Sequence, residues 1–381
     1  MQHPYLTDDH REFRRTVKKF LDKEASPFYD QWEEERLIPR SFWRRMGKMG
    51  FLCPHLSEMY GGSETDWGYS VVLIEELERV GSGLVGIGLH NEIVVPYLEA
   101  YGTEEQKQKW LPGCTDGSII TAIAMTEPGA GSDLANIRTF AQEEGDSFII
   151  NGQKTFITNG IQADLILLAC KTDLTASPAH NGISLFLVEE GTEGFSRGRK
   201  LNKIGLHSQD TAELFFEDCR VHKDNLLGDA GKGFYYMMEK LQQERLIVAI
   251  SAQVAAEEML RMTVDYVKSR KAFGKPVSKF QNSQFKIAEM ATEVELGRAF
   301  LDQLIAGHMR GEEVTQKVSM AKWWITDMAK KTAGECLQLH GGYGYMEEYE
   351  IARRYRDIPV SGIYAGTNEI MKVIIAKNMG L

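Results

Sequence analysis

From Gly233 to Arg270 the chain reads GFYYMMEKLQQERLIVAISAQVAAEEMLRMTVDYVKSR, more than thirty residues with no proline and no glycine after the first. A run of that length predicts a helix long enough to belong to a bundle. The segments QNSQFKIAEMATEVELGRAFLDQLIAGHMRG and VTQKVSMAKWWITDMAKKTAGECLQLHGG follow it, each closed by glycine. A last helix starts inside SGIYAGTNEIM, residues 361 to 371. The C-terminal part of the chain is therefore expected to be a four-helix bundle.

The N-terminal part also reads as helix. Phe13, Val17, Phe20 and Leu21 recur at helical spacing, and GYSVVLIEELERVGSGL ends at glycines. TEEQKQKWLPG predicts a short helix with a threonine cap, closed by Pro-Gly. Between the two helical parts lie SIITAIAMTE, SFIINGQKTFITN, ADLILLACK, GISLFLVEE and TAELFFEDCRV, short β-branched or aromatic runs separated by Gly, Asn and Asp. Asn151-Gly152 reads as a hairpin turn. Such runs without helices between them predict an antiparallel sheet, not a doubly wound parallel one. The expected fold is mostly α with a central β-domain: an N-terminal helical domain over 1–117, an antiparallel β-domain over 118–230 and a C-terminal four-helix bundle over 231–381.

Composition narrows the function classes. A formal net charge of -10 argues against nucleic acid, whose phosphates need a basic surface. There is no run of eighteen apolar residues to cross a membrane, and MQHPYLTDDHREF carries no signal-peptide pattern. Cys53, Cys114, Cys170, Cys219 and Cys336 are scattered without a CxxC pair. They read as reduced thiols in a cytoplasmic protein, with no disulfide framework and no metal site.

Four stretches can carry chemistry. MTEPGAGSD, residues 125 to 133, offers glycine-flanked amides that form either a cofactor cradle or a long turn between strands. SRKAFGKPVSKFQ places Arg270, Lys271, Lys275 and Lys279 beside Phe273 and Phe280, as a solvated loop or as a grip on phosphate and a flat ring. CLQLHGGYGYM ends a helix in two glycines, where one suffices for a cap; the second suggests close approach of a ligand or another backbone. Glu244 lies at helical spacing from Met237, Leu241, Ile247, Val248 and Ser251. It is either an acid at the edge of an apolar stripe or a partly desolvated carboxylate suited to take a proton.

Together MTEPGAGSD, KTFITNG, ERLIVA, RKAFGKP, QLHGGYGYM and YAGTNEIM stand in the order and spacing of the acyl-CoA dehydrogenases, a resemblance that covers essentially the whole chain. KGFYYMM, QERL, TAELFFED and SPAHNGISLFLVE are similar to the long-chain branch. The resemblance implies a homotetrameric flavoprotein with FAD between the β-domain and the bundle. Its reaction is α,β-dehydrogenation of an acyl-CoA to the trans-2-enoyl-CoA in fatty-acid β-oxidation, with the hydride passing to flavin N5 and electrons onward to electron-transferring flavoprotein.

Carried over residue by residue, Met125, Thr126 and Ser132 line the flavin, with Ser132 near the CoA chain. Phe156, where many relatives have Trp, and Thr158 flank the ring. Arg270, Phe273, Gln281, Gln338, Gly341 and Gly342 reach the FAD of a neighbouring subunit, and Thr367, Asn368 and Glu369 complete the cofactor contacts at a helix start. Tyr235, Gln242, Gln243, Arg245, Tyr364 and Gly366 face the substrate. Many members carry glutamate directly after the tyrosine of the last motif, where this chain has Ala365. The long-chain and isovaleryl branches place the base in ERL on the long helix, which is Glu244 here. Ala365 then contributes only its backbone amide, to the thioester oxygen. An acyl-CoA oxidase or nitroalkane oxidase on the same fold, and a flavin-free helical scaffold, are the alternatives.

Overall fold

The computed structural model describes residues 3–381. Seven helices open the chain: α1 (Asp8–Glu24), α2 (Tyr29–Glu35), α3 (Arg40–Lys48), α4 (Trp67–Val80), α5 (Val85–Leu89), α6 (Val95–Tyr101) and α7 (Glu104–Asp116). Thr7 and Thr103 cap α1 and α7 in reciprocal boxes with His10 and Gln106, and α4 stops at Gly81. Val17 and Leu21 of α1 pack with Trp32, Phe42, Trp43 and Leu73. A π-helical turn, His90–Val94, joins α5 to α6, and its wider spacing resets the face that α6 turns inward. One expectation is corrected here. Pro112-Gly113 does not close α7, which runs on to the left-handed Gly117. Proline's φ suits a helix, and burial of Trp110, Leu111, Cys114 and Thr115 on both sides of it outweighs one missing ladder bond.

The central sheet comprises β1 (Thr121–Ala124), β2 (Phe140–Glu144), β3 (Ser147–Thr158), β4 (Leu165–Lys171), β5 (Ile183–Glu189), β6 (Phe195–Lys200), β7 (Thr211–His222) and β8 (Leu226–Leu227), in the order β6-β7-β3-β2-β4-β5-β8 with β1 beside β4. Most ladders are antiparallel, as expected, but β1 runs parallel to β4 from Thr121↔Leu165 to Ala124↔Leu168, and β2 meets β4 in parallel at Phe140↔Lys171. The β2–β3 hairpin lies within the crossover that such pairing requires. Asn151-Gly152 is not the hairpin turn. Glu144 pairs with Ser147, so the loop is Gly145-Asp146, with Gly145 at φ 61. Asn151 instead pairs with Phe140 inside β3, and Gly152 follows a bulge against β7.

The C-terminal part holds α8 (Gly233–Ser269), a two-stranded hairpin of β9 (Lys271–Ala272) and β10 (Lys275–Pro276), then α9 (Gln281–Met309), α10 (Thr315–His340), α11 (Glu350–Asp357) and α12 (Asn368–Asn378). Leu246, Ile250 and Met259 of α8 meet Leu301 and Ile305 of α9 and Ile325 and Ala329 of α10 in the largest core. That core reaches Val71 and Ile74 of α4, so the N-terminal helices and the bundle share apolar packing along α8.

Candidate active site

Glu244 lies a little under one turn past Leu241 on α8, between the buried Met237 and the buried pair Ile247 and Val248. Only 6% of it is exposed, which decides for the desolvated acid over the edge acid. No arginine pairs with it among the described residues. Its Oε1 accepts a 2.8 Å hydrogen bond from the hydroxyl of Tyr97 on α6. Burial raises its carboxyl to about 7, against the lowering effects of Tyr97, Arg245 and Lys240. Arg245 is equally buried, and its Nε has no hydrogen-bond partner among the described residues.

The turn Tyr364-Ala365-Gly366 leads into α12. Ala365 is left-handed at φ 51 and Gly366 at φ 85, after which Thr367 caps α12 through a bond from Ile370 N to its Oγ1. An alanine held in that region signals a backbone constrained by its surroundings. The constraint is visible: Lys322 Nζ, from the buried face of α10, donates to Gly366 O at 2.7 Å and to Asn368 Oδ1 at 3.1 Å. Asn368 Nδ2 donates to Trp323 O, Thr326 Oγ1 and Asp327 Oδ1. The Asn368 side chain thus holds the turn to α10. Glu369 is exposed in the first turn of α12, and hydrogen bonds at that helix start lower its carboxyl.

Gln242 is likewise committed. Its Oε1 accepts from Val314 N and Thr315 Oγ1, and its Nε2 faces His308 Nδ1 and Glu312 O, so it fastens the start of α10 and has no free donor for a substrate. Gln243 donates to Glu92 O at 2.9 Å. Tyr235 is half-exposed at the start of α8 and donates to Asn181 Oδ1.

On the β-domain, Met125, Thr126 and the exposed Ser132 lie on the loop after β1. Thr155 N donates to Thr126 O, and the buried Lys154 donates to Met125 O and to Glu127 Oε1, which ties this loop to β3. The β3–β7 register shifts between Lys154 and Ile157, and within that bulge Phe156 is left-handed and 69% exposed, followed by Thr158. A second exposed aromatic, Phe273, sits at φ 50 in the β9–β10 turn with 97% of its surface open. Arg270 stands 5.2 Å from the ring centre of Tyr343, beside the exposed Gly341 and Gly342, and the exposed Gln281 opens α9. Gln338, also exposed, is in the last turn of α10. His340 bonds to Cys336 O and stacks on Tyr266, a packing role.

Family models for the N-terminal, middle and C-terminal domains of acyl-CoA dehydrogenase match residues 7–118, 122–219 and 231–380. The chain belongs to the acyl-CoA dehydrogenase family. It is 48% identical to the pig (Sus scrofa) mitochondrial long-chain specific acyl-CoA dehydrogenase over 98% of this chain and 87% of that protein. The isovaleryl-CoA dehydrogenase of Pongo abelii is 35% identical over 98% of this chain and 89% of that one. A crystal structure of an acyl-CoA dehydrogenase from Geobacillus kaustophilus superposes with a TM-score of 0.99 at 66% identity, covering 100% of both chains.

Within this acyl-CoA dehydrogenase Glu244 and Arg245 are neighbours on α8, and Arg245 lies near Lys322, which holds the turn before α12. Arg270, Gly341 and Gly342 form a separate cluster beyond the C-terminal end of α8. Sequence reasoning missed Tyr97, Lys322 and the Lys154–Glu127 pair. A lysine inside VSMAKWWITDMA is a signal for Lys322, because a buried amine needs acceptors; for Tyr97 the local pattern holds none.

Proposed function

We propose that this protein is an FAD-dependent acyl-CoA dehydrogenase that converts a long-chain acyl-CoA to its trans-2-enoyl-CoA, with Glu244 as the base. The observation that carries the reading is the buried carboxyl of Glu244 on α8, in a family member with alanine after Tyr364. The name of the pig relative supports the long-chain class.

The residues fit FAD. Two exposed aromatics, Phe156 and Phe273, are held in left-handed backbone, an arrangement with no advantage to a free surface. Met125, Thr126 and Thr158 are anchored beside Phe156, and the amides at the start of α12 suit an anionic group. FAD, when bound, accepts the β-hydrogen as hydride. The chain's own work is the other half. Glu244 Oε2, which takes no protein donor among the described residues, receives the α-proton. The Ala365 amide, aimed by its left-handed turn, stabilises the thioester oxygen as charge develops. Burial keeps water from the carboxylate and lifts it toward neutrality, where a base matches its task.

Glu244→Gln should keep FAD and bind acyl-CoA but lose nearly all flavin bleaching in anaerobic mixing; bleaching near the parent rate sinks the assignment. Because Glu244 must be ionised to act and is pushed up to about 7, bleaching should slow as pH falls through that value, about tenfold per pH unit below it. Anaerobic bleaching with straight and branched acyl-CoAs from butyryl to stearoyl tests the substrate class. We further propose electron-transferring flavoprotein as acceptor, with peroxide release at the turnover rate as the contrary result. A homotetramer accounts for Phe273, Phe285 and Leu296, exposed on the hairpin and α9, and light scattering tests it. Five free, buried cysteines suit the cytoplasm.

A further inference from the structure

We propose that Tyr97 is a positioning residue for Glu244: its phenol holds one carboxylate oxygen across the boundary between the N-terminal helices and the bundle, leaving the other for the substrate's α-proton. This rests on the reading of Glu244 as the base. Tyr97 has no exposed surface, and its hydroxyl makes one hydrogen bond among the described residues, the 2.8 Å bond to Glu244 Oε1. Burial and the neighbouring carboxylate push the phenol far above its ordinary range, so it stays protonated and can only donate. A glutamate on an apolar stripe has several rotamers open to it; a fixed donor selects one.

The position of Tyr97 depends on the π turn. His90–Val94 departs from α-helical spacing between α5 and α6, and Pro96 fixes the start of α6 one residue before the tyrosine. Tyr97 belongs to the same buried apolar cluster as Val94, Leu98 and Met237 of α8. The same bond favours the ionised form of Glu244. A donor to the ionised carboxyl opposes the burial that raises it. The other charged groups around the base are Lys240 and Arg245 of its own helix, which also hold it down. Glu99 of α6 faces Lys240, Lys322 of α10 faces Arg245, and Glu92 of the π turn lies against Gln243. None of these bonds to Glu244, so Tyr97 is its sole hydrogen-bond donor among the described residues.

The test is the pH profile of anaerobic flavin bleaching with saturating acyl-CoA. Tyr97→Phe keeps the ring and its packing but removes the donor. Its acid limb should move up by about 1–2 pH units. The rate should fall roughly 5–50-fold near neutral pH and recover to within a few-fold on the alkaline plateau. Site-specific fluorotyrosine at 97, a stronger donor, should move the limb down. A merely structural residue does not produce opposite shifts. A second reading needs no turnover: the protonated-carboxyl infrared band that Glu244→Gln abolishes should titrate higher in Tyr97→Phe. Unmoved limbs, or a uniform loss at every pH, overturn the proposal. If the phenylalanine variant does not fold, the fluorotyrosine limb and infrared titration decide. Failure of the base reading looks different: Glu244→Gln itself then bleaches normally.

Discussion

Lys322 has no exposed surface and no carboxylate within ion-pair distance among the described residues, yet its ammonium makes two hydrogen bonds to the turn before α12. Burial, with Arg245 and Lys330 nearby, lowers it to about 8. A buried cation bonded only to a carbonyl and an amide oxygen is tolerated because both acceptors are fixed, Asn368 Oδ1 also by Thr326 Oγ1. Lys322→Met should leave Gly366 O and Asn368 Oδ1 without this donor and lower stability by about 1–3 kcal/mol. On the reading of Ala365 as the thioester donor, turnover should fall further than acyl-CoA affinity, because the amide loses its aim. Denaturant unfolding and a comparison of kcat with KM check both parts.

At the scale of elements, β3 shows how one dipeptide changes meaning with context. Asn151-Gly152 has the composition of a tight turn, but Asn151 exchanges hydrogen bonds with Asp218 across to β7, and the strand continues. Gly152 is needed for space: at φ 151, an added Cβ would lie 2.4 Å from Thr139 Oγ1 and 2.7 Å from Thr139 Cα. Backbone cannot move aside as a side-chain tip can, so Gly152→Ala should lower stability by about 1–3 kcal/mol. Gly145, in the actual turn, has open space around it, and Gly145→Ala should cost only the left-handed conformation, about 1 kcal/mol. Equal losses in thermal unfolding would contradict this assignment of roles.

Across the whole molecule, a buried ionic cluster fastens the N-terminal helices to the bundle. Arg298 of α9 bonds Glu75 of α4 at 2.8 Å and Glu257 of α8 at 2.7 Å, while Arg14 of α1 reaches the other oxygen of Glu75 at 2.6 Å. The two arginines lower Glu75 to about 2 despite its full burial. A depressed carboxyl stabilises the fold above its ordinary range and loses that contribution as pH falls toward the folded value. Acid unfolding between about pH 4.5 and 2 should therefore be less steep in Glu75→Gln. That variant should also be about 3–5 kcal/mol less stable at neutral pH, because it leaves Arg298 short of a partner.

The three-part order of helices, sheet and bundle was legible in the chain because periodicity and glycine stops are local properties, and so was Glu244, an acid on an apolar stripe. The turn Ala365-Gly366 could be located from its motif, but its left-handed backbone could not. The side-chain partners of Gln242 and Asn368, on α9, α10 and the segment between them, were not legible in the sequence. Tyr97 was out of reach: it lies 147 residues before Glu244, and nothing around it in the sequence marks a donor to a base. Sequence by itself determined which residue types stand on which faces. Only the tertiary structure decided which buried polar groups meet, since each must find its hydrogen-bond partner across an interface that no local pattern encodes.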